Sequence, residues 1–201
     1  MGGEGMVCDP WRHGRGASGA GLRRAGSMPL GCARMGGPEA SEILDRVTPQ
    51  YYAELLSWGA IGARTVESPL HRQMASALSA PVGFKNATDG SVQTAVDAIL
   101  VAAQAHTFPS ISLDGRAIIV STTGNSNGHL ILRGSDQGPN YDAASVSSAA
   151  DALRRAGLAP RMIVDCSHGN SGKDFRKQPE VAACVADQVA GGSHAVCGVM
   201  I

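Results

Sequence analysis

Short apolar runs alternate with stretches of helical period from residue 37 onward. The runs are Gly59–Arg64, "PVGFK" (81–85), "HLILR" (129–133), "MIVDCSH" (162–168) and "HAVCGVMI" (194–201). Their lengths suit buried strands. Between them, Ser68–Pro69 is a helix start, and Leu70, Met74 and Leu78 recur at i, i+4 and i+8, the spacing of a core-facing stripe. Val92, Ala95, Val96, Ile99 and Leu100 mark a second helix. Asp142 caps a third, carrying Val146, Ala149 and Leu153 and ending at Gly157. Val181, Cys184, Val185 and Val189 form a last stripe, with Pro179 delaying or kinking its start. Upstream, a short extended segment at Glu42–Leu44 precedes a turn-helix around Thr48–Pro49. "HTFPSISLDGRAIIVST" reads as a hairpin around Asp114–Gly115, inserted before the 129–133 strand. Strands alternating with helices predict parallel βα units, an α/β fold.

Four of these strands end alike. Gly59–Arg64 delivers Arg64, the next run Lys85, the third Arg133 and the fourth His168. In parallel βα folds the functional site lies beyond the carboxyl ends of the strands. Four such tips predict a pocket with three positive charges and a histidine. Its chemistry suits a small, multiply anionic substrate such as a phosphorylated carboxylic acid. Cys166 lies two residues from His168, which places both on one strand face. It reads as a buried thiol in preference to a metal pair. His71, His106, His129 and His194 read as structural or exposed, and "GNSNG" (124–128) as a turn.

Composition narrows the possibilities. The 201 residues suit one domain, and 17 basic against 17 acidic side chains leave no bulk field to draw nucleic acid or membrane. The cationic tips must therefore act locally. Aromatics are 4% of residues, too few for base-stacking platforms. Five cysteines at 8, 32, 166, 184 and 197 lack metal-knuckle spacing and read as reduced thiols of a cytoplasmic protein. No apolar stretch is long enough to span a bilayer. Residues 1–36 differ from the rest. They hold ten of the 26 glycines, five arginines and no lysine, with neither helical nor strand period. They read as an atypical Gly/Arg-rich segment, disordered or misframed, ahead of a globular region at 37–201.

The segments "SWGAIGARTVES", "PVGFKNATDG", "ILRGSDQGPNY", "VDCSHGNSGKDF" and "GGSHAVCGVMI" closely resemble the type I, short microbial 3-deoxy-D-arabino-heptulosonate 7-phosphate (DAHP) synthases, from about Pro38 to Ile201. The resemblance implies a (β/α)8 TIM barrel. It also implies condensation of phosphoenolpyruvate with erythrose 4-phosphate, releasing phosphate, at the first step of the shikimate pathway to aromatic amino acids. Arg64, Lys85 and Arg133 would grip phosphoenolpyruvate, with the backbone of Ala63 alongside and Glu42 a neighbour. Lys85 and His168 would be catalytic. His168 would also be one ligand of a divalent metal acting as a Lewis acid on the aldehyde. The family enzyme is expected to be a homo-oligomer. Two family motifs of the first barrel strands, "GPCSIHD" and "KPRTT", do not occur, and the final "GVMI" stops before the glutamate of "GVMVE". The expectation is therefore a partial barrel, lacking its first two strands and cut at its last, that is unstable, inactive and unable to retain the metal. The alternative is a degenerate, non-catalytic remnant that at most binds phosphorylated anions.

Overall fold

The computed structural model describes residues 18–45, 47–112 and 114–201. Residues 1–17 of the Gly/Arg-rich segment lie outside the described residues. The order of elements is α1 (Ser18–Arg34), β1 (Ala40–Glu42), two short 3-10 turns (Thr48–Tyr51 and Ala53–Leu55) and β2 (Trp58–Ile61). Next come α2 (Pro69–Ala77), β3 (Val82–Lys85), α3 (Gln93–Ala102), β4 (Thr107–Ile111), β5 (Ala117–Ser121) and β6 (Gly128–Leu132). The chain closes with α4 (Ala143–Arg155), β7 (Met162–Asp165), a 3-10 turn (Phe175–Lys177), α5 (Gln178–Ala190) and β8 (Val196–Met200).

Six strands form one open, all-parallel sheet in the order β1-β2-β3-β6-β7-β8, a partial TIM barrel flanked by helices. The remaining two, β4 and β5, pair antiparallel with each other as the predicted hairpin. Registers Glu42↔Ala60, Ile61↔Phe84, Lys85↔Ile131, Leu132↔Val164 and Asp165↔Met200 bring the strand C-termini level with one another. The strands read as apolar runs because a parallel sheet is covered on both faces. Phe84, Leu130, Leu132, Met162 and Val164 are buried, together with Ala95, Val96 and Ile99 of α3 and Val146, Ala149 and Leu153 of α4.

Several expectations require correction. Ser18–Arg34 is helical although no period announces it; α1 packs on the 3-10 turns, so tertiary contact overrides weak local preference. Of the α2 stripe, Met74 and Leu78 are buried but Leu70 is exposed. Leu100 and Val189 are exposed as well. Ser68 precedes α2 without a side-chain capping bond, whereas Asp142 caps α4 as predicted, accepting from the amides of Ala144 and Ser145. Among the described residues, no helix is long and apolar enough to cross a membrane.

Candidate active site

All six residues singled out in the sequence line one cleft of about 460 Å3 at the C-terminal ends of the strands: Glu42, Ala63, Arg64, Lys85, Arg133 and His168. They arrive by different routes. Lys85 is the last residue of β3, and Glu42 is the last of β1. Arg64 was expected on a strand, but β2 ends at Ile61 and Arg64 stands exposed in the turn beyond it. His168 likewise lies past the end of β7, with φ of 52°. That turn undoes the expected alternation with Cys166, which is fully buried while the His168 side chain is 45% exposed. Burial, and then the Asp165 charge, push the Cys166 thiol above its ordinary pKa. It is a protonated core thiol, as the residue type suggested.

A residue buried behind two of the cleft-lining side chains, Lys85 and His168, was missed. Asp165 is 1% exposed. Its Oδ2 lies 3.2 Å from Lys85 Nζ and accepts from His168 Nδ1 at 2.9 Å. Its Oδ1 accepts from the Ser167 amide at 2.9 Å. Lys85 and Asp165 sit two strands apart, about 10 Å across the sheet at ordinary strand spacing, so the lysine reaches over β6 to its partner. Glu42 stands 4.0 Å from Lys85 Nζ. The carboxylate of Glu42 passes so close to Gly62 that a Cβ there would come within 2.3 Å of its Oε1. The signal for Asp165 was present in the sequence: a lone carboxylate in "MIVDC" cannot be buried without a partner.

Asparagines fix the loops around this floor. The Asn86 carbonyl accepts from the backbone amide of Arg133 at 2.9 Å and from Asn140 Nδ2 at 3.2 Å. Asn170 donates to the carbonyls of Leu132 and Asp165 and accepts from the amide of Asn140. The loops after β6 and β7 touch backbone to backbone. A Cβ on Gly134, whose φ is +73°, would lie 2.4 Å from the Asn170 amide nitrogen.

Arg133 is 7% exposed, and its Nη1 is buried without a hydrogen-bond partner. Among the described residues, neither Arg64 nor Lys173, a further cation on the cleft wall, meets a carboxylate. Four cationic side chains thus face the cleft against the carboxylates of Glu42 and Asp136 on its wall. The arrangement attracts anions, and a buried guanidinium with a free donor is a preorganised grip for carboxylate or phosphate.

An all-parallel βα sheet with guanidinium and ammonium groups gathered beyond its strand tips defines a barrel-type α/β protein with an anion-attracting cleft. The chain belongs to the DAHP synthetase I family, which matches residues 21–201. It is 49% identical over its whole length to the tyrosine-inhibited phospho-2-dehydro-3-deoxyheptonate aldolase of Schizosaccharomyces pombe, covering 54% of that protein. It is 48% identical to the Tyr-sensitive enzyme of Escherichia coli strain K12, covering 56%. The solved structure of phospho-2-dehydro-3-deoxyheptonate aldolase from Francisella tularensis superposes with a TM-score of 0.96 at 47% identity, over 100% of this chain and 59% of that one. The chain therefore spans little more than half the length of these relatives.

Proposed function

We propose that this chain carries the phosphoenolpyruvate-binding part of a DAHP synthase. The reaction joins phosphoenolpyruvate, erythrose 4-phosphate and water to give DAHP and phosphate. The observation that carries the reading is Arg133, a desolvated guanidinium with an unpartnered Nη1 in a cleft of excess positive charge. Leaving such a donor unmade costs free energy in the empty protein, and an anion recovers it. Arg133 and Arg64 take the carboxylate and phosphate of the substrate in forked contacts, and the Ala63 backbone lines the wall beside them. Lys85, held at Asp165, adds a point charge and a proton that a reacting oxygen can share.

The divalent metal implied by the family finds one suitable donor here. His168 Nδ1 is engaged by Asp165, which leaves Nε2 for a metal, an orientation common to ligating histidines. One imidazole does not hold a divalent ion. Among the described residues no three His, Cys, Asp or Glu side chains come together. The described residues do not by themselves fit the ion. A second reading is that the chain binds phosphorylated anions without turnover.

Calorimetric titration separates these readings. Phosphoenolpyruvate should bind more tightly than inorganic phosphate or pyruvate, and Arg64→Ala should weaken it about tenfold. Equal binding of all three anions would overturn the assignment. Phosphate release that requires erythrose 4-phosphate establishes the synthase, whereas binding without release supports the second reading.

A further inference from the structure

We infer that Asp165 is the positioning residue of the cleft, one carboxylate oxygen that holds Lys85 in place and fixes the tautomer of His168. The inference rests on the reading of the cleft given above, but its geometry stands apart from any substrate. Oδ2 faces two donors at once, Lys85 Nζ at 3.2 Å and His168 Nδ1 at 2.9 Å, and Oδ1 faces a third, the Ser167 amide at 2.9 Å. The Asp165 backbone carbonyl accepts from Asn170 Nδ2 at 2.8 Å, so the residue is held at both ends. At 1% exposure, no solvent competes for these bonds.

An ionised carboxylate is acceptor-only. His168 Nδ1 must therefore carry the hydrogen, and the lone pair of the neutral ring stays on Nε2. That nitrogen is then available to accept a proton or bind an electrophile in the cleft, while Lys85 is kept from folding out into solvent. The His168 side chain is 45% exposed, and its Nδ1 hydrogen-bonds to the buried Asp165. The contact with Asp165 is what ties the ring to the floor.

Asp165→Leu removes the acceptor at similar size, and pairing it with Lys85→Met leaves no unpaired buried ammonium. An asparagine would not discriminate, because its amide oxygen in the Oδ2 position still accepts from His168 Nδ1.

The test is the side-chain 15N spectrum of His168 in the full chain, recorded with the imidazole neutral. The wild type should show a protonated Nδ1 and an unprotonated Nε2. The double variant Asp165→Leu with Lys85→Met should move the tautomer ratio toward Nε2–H by about tenfold, the scale of one charge-assisted hydrogen bond. Lys85→Met alone keeps the Asp165–His168 bond and should leave the wild-type tautomer. A wild-type ring protonated on Nε2, or a ratio the same in the double variant as in Lys85→Met, would overturn the inference. If the double variant does not fold, the wild-type and Lys85→Met spectra decide. Absence of phosphoenolpyruvate binding by the wild type would defeat the proposed function and leave this result intact.

Discussion

The two ends of the parallel sheet handle buried polar groups in opposite ways. At the end where the strands begin, the groups are neutral and their bonds are filled. Asn125, 5% exposed, donates to the carbonyls of Ala75, Leu78 and Ala80 and accepts from the amide of Asn127. Trp58 Nε1 donates to His129 Nε2 at 2.9 Å. At the end where the strands finish, charged groups join the neutral asparagines and the bonding is incomplete. Lys85 and Asp165 are buried as ions, and Arg133 keeps an unmade donor. Both ends are polar, but only the second stores an unspent interaction. The unmet bond, more than the burial of polar groups, singles out the candidate site.

The comparison is broken most severely by Asp165→Ala, which strands Lys85 as an unpaired buried charge and should cost about 3–5 kcal/mol in urea unfolding. Adding Lys85→Met should restore much of that loss; a double variant no more stable than the single one would show that the pair does not act as a unit. At the neutral end, Asn125→Ala abandons three carbonyls and should cost about 2–3 kcal/mol by the same measurement, with phosphoenolpyruvate binding unchanged.

Asp142→Ala, on the α4 cap, should cost about 1 kcal/mol at neutral pH. The Ser145 hydroxyl and amide hold the Asp142 carboxyl below its ordinary pKa. Its contribution is therefore present above the unfolded carboxylate value and lost as pH falls through the folded one. The stability curves of variant and wild type should converge in acid; a constant gap would refute the ionic cap. The smallest effect is at His129. Desolvation by burial depresses its pKa, and the neutral ring accepts from Trp58. Its share of stability is complete above the unfolded value near about 6.5 and fades as pH drops below it. Trp58 fluorescence should follow that fading, and His129→Gln should flatten it.

Much of this was legible in the chain. The strand runs, the hairpin at Asp114–Gly115 and the Asp142 cap follow from local pattern and appear where expected. The cationic tips converge because parallel strands in level register must bring their C-termini together. What the pattern could not show lies in the loops. Arg64 and His168 leave their strands early, so alternation misplaced Cys166 relative to His168. Asp165 was hidden inside an apolar run, and its meaning depends on Lys85, two strands away. Asn86, Asn140 and Asn170 are ordinary loop residues in sequence and become a brace only when the β6 and β7 loops meet. Helix α1 has no period to announce it, since the turns after β1 support it from outside.

On the proposed function, Arg133 serves a ligand and not the fold. The most direct measurement pairs urea unfolding with phosphoenolpyruvate titration for wild type and Arg133→Met. We predict unfolding free energies within about 1 kcal/mol of each other and an affinity lowered by about 10–100-fold. A variant that loses several kcal/mol of stability while binding phosphoenolpyruvate as the wild type does would contradict the claim.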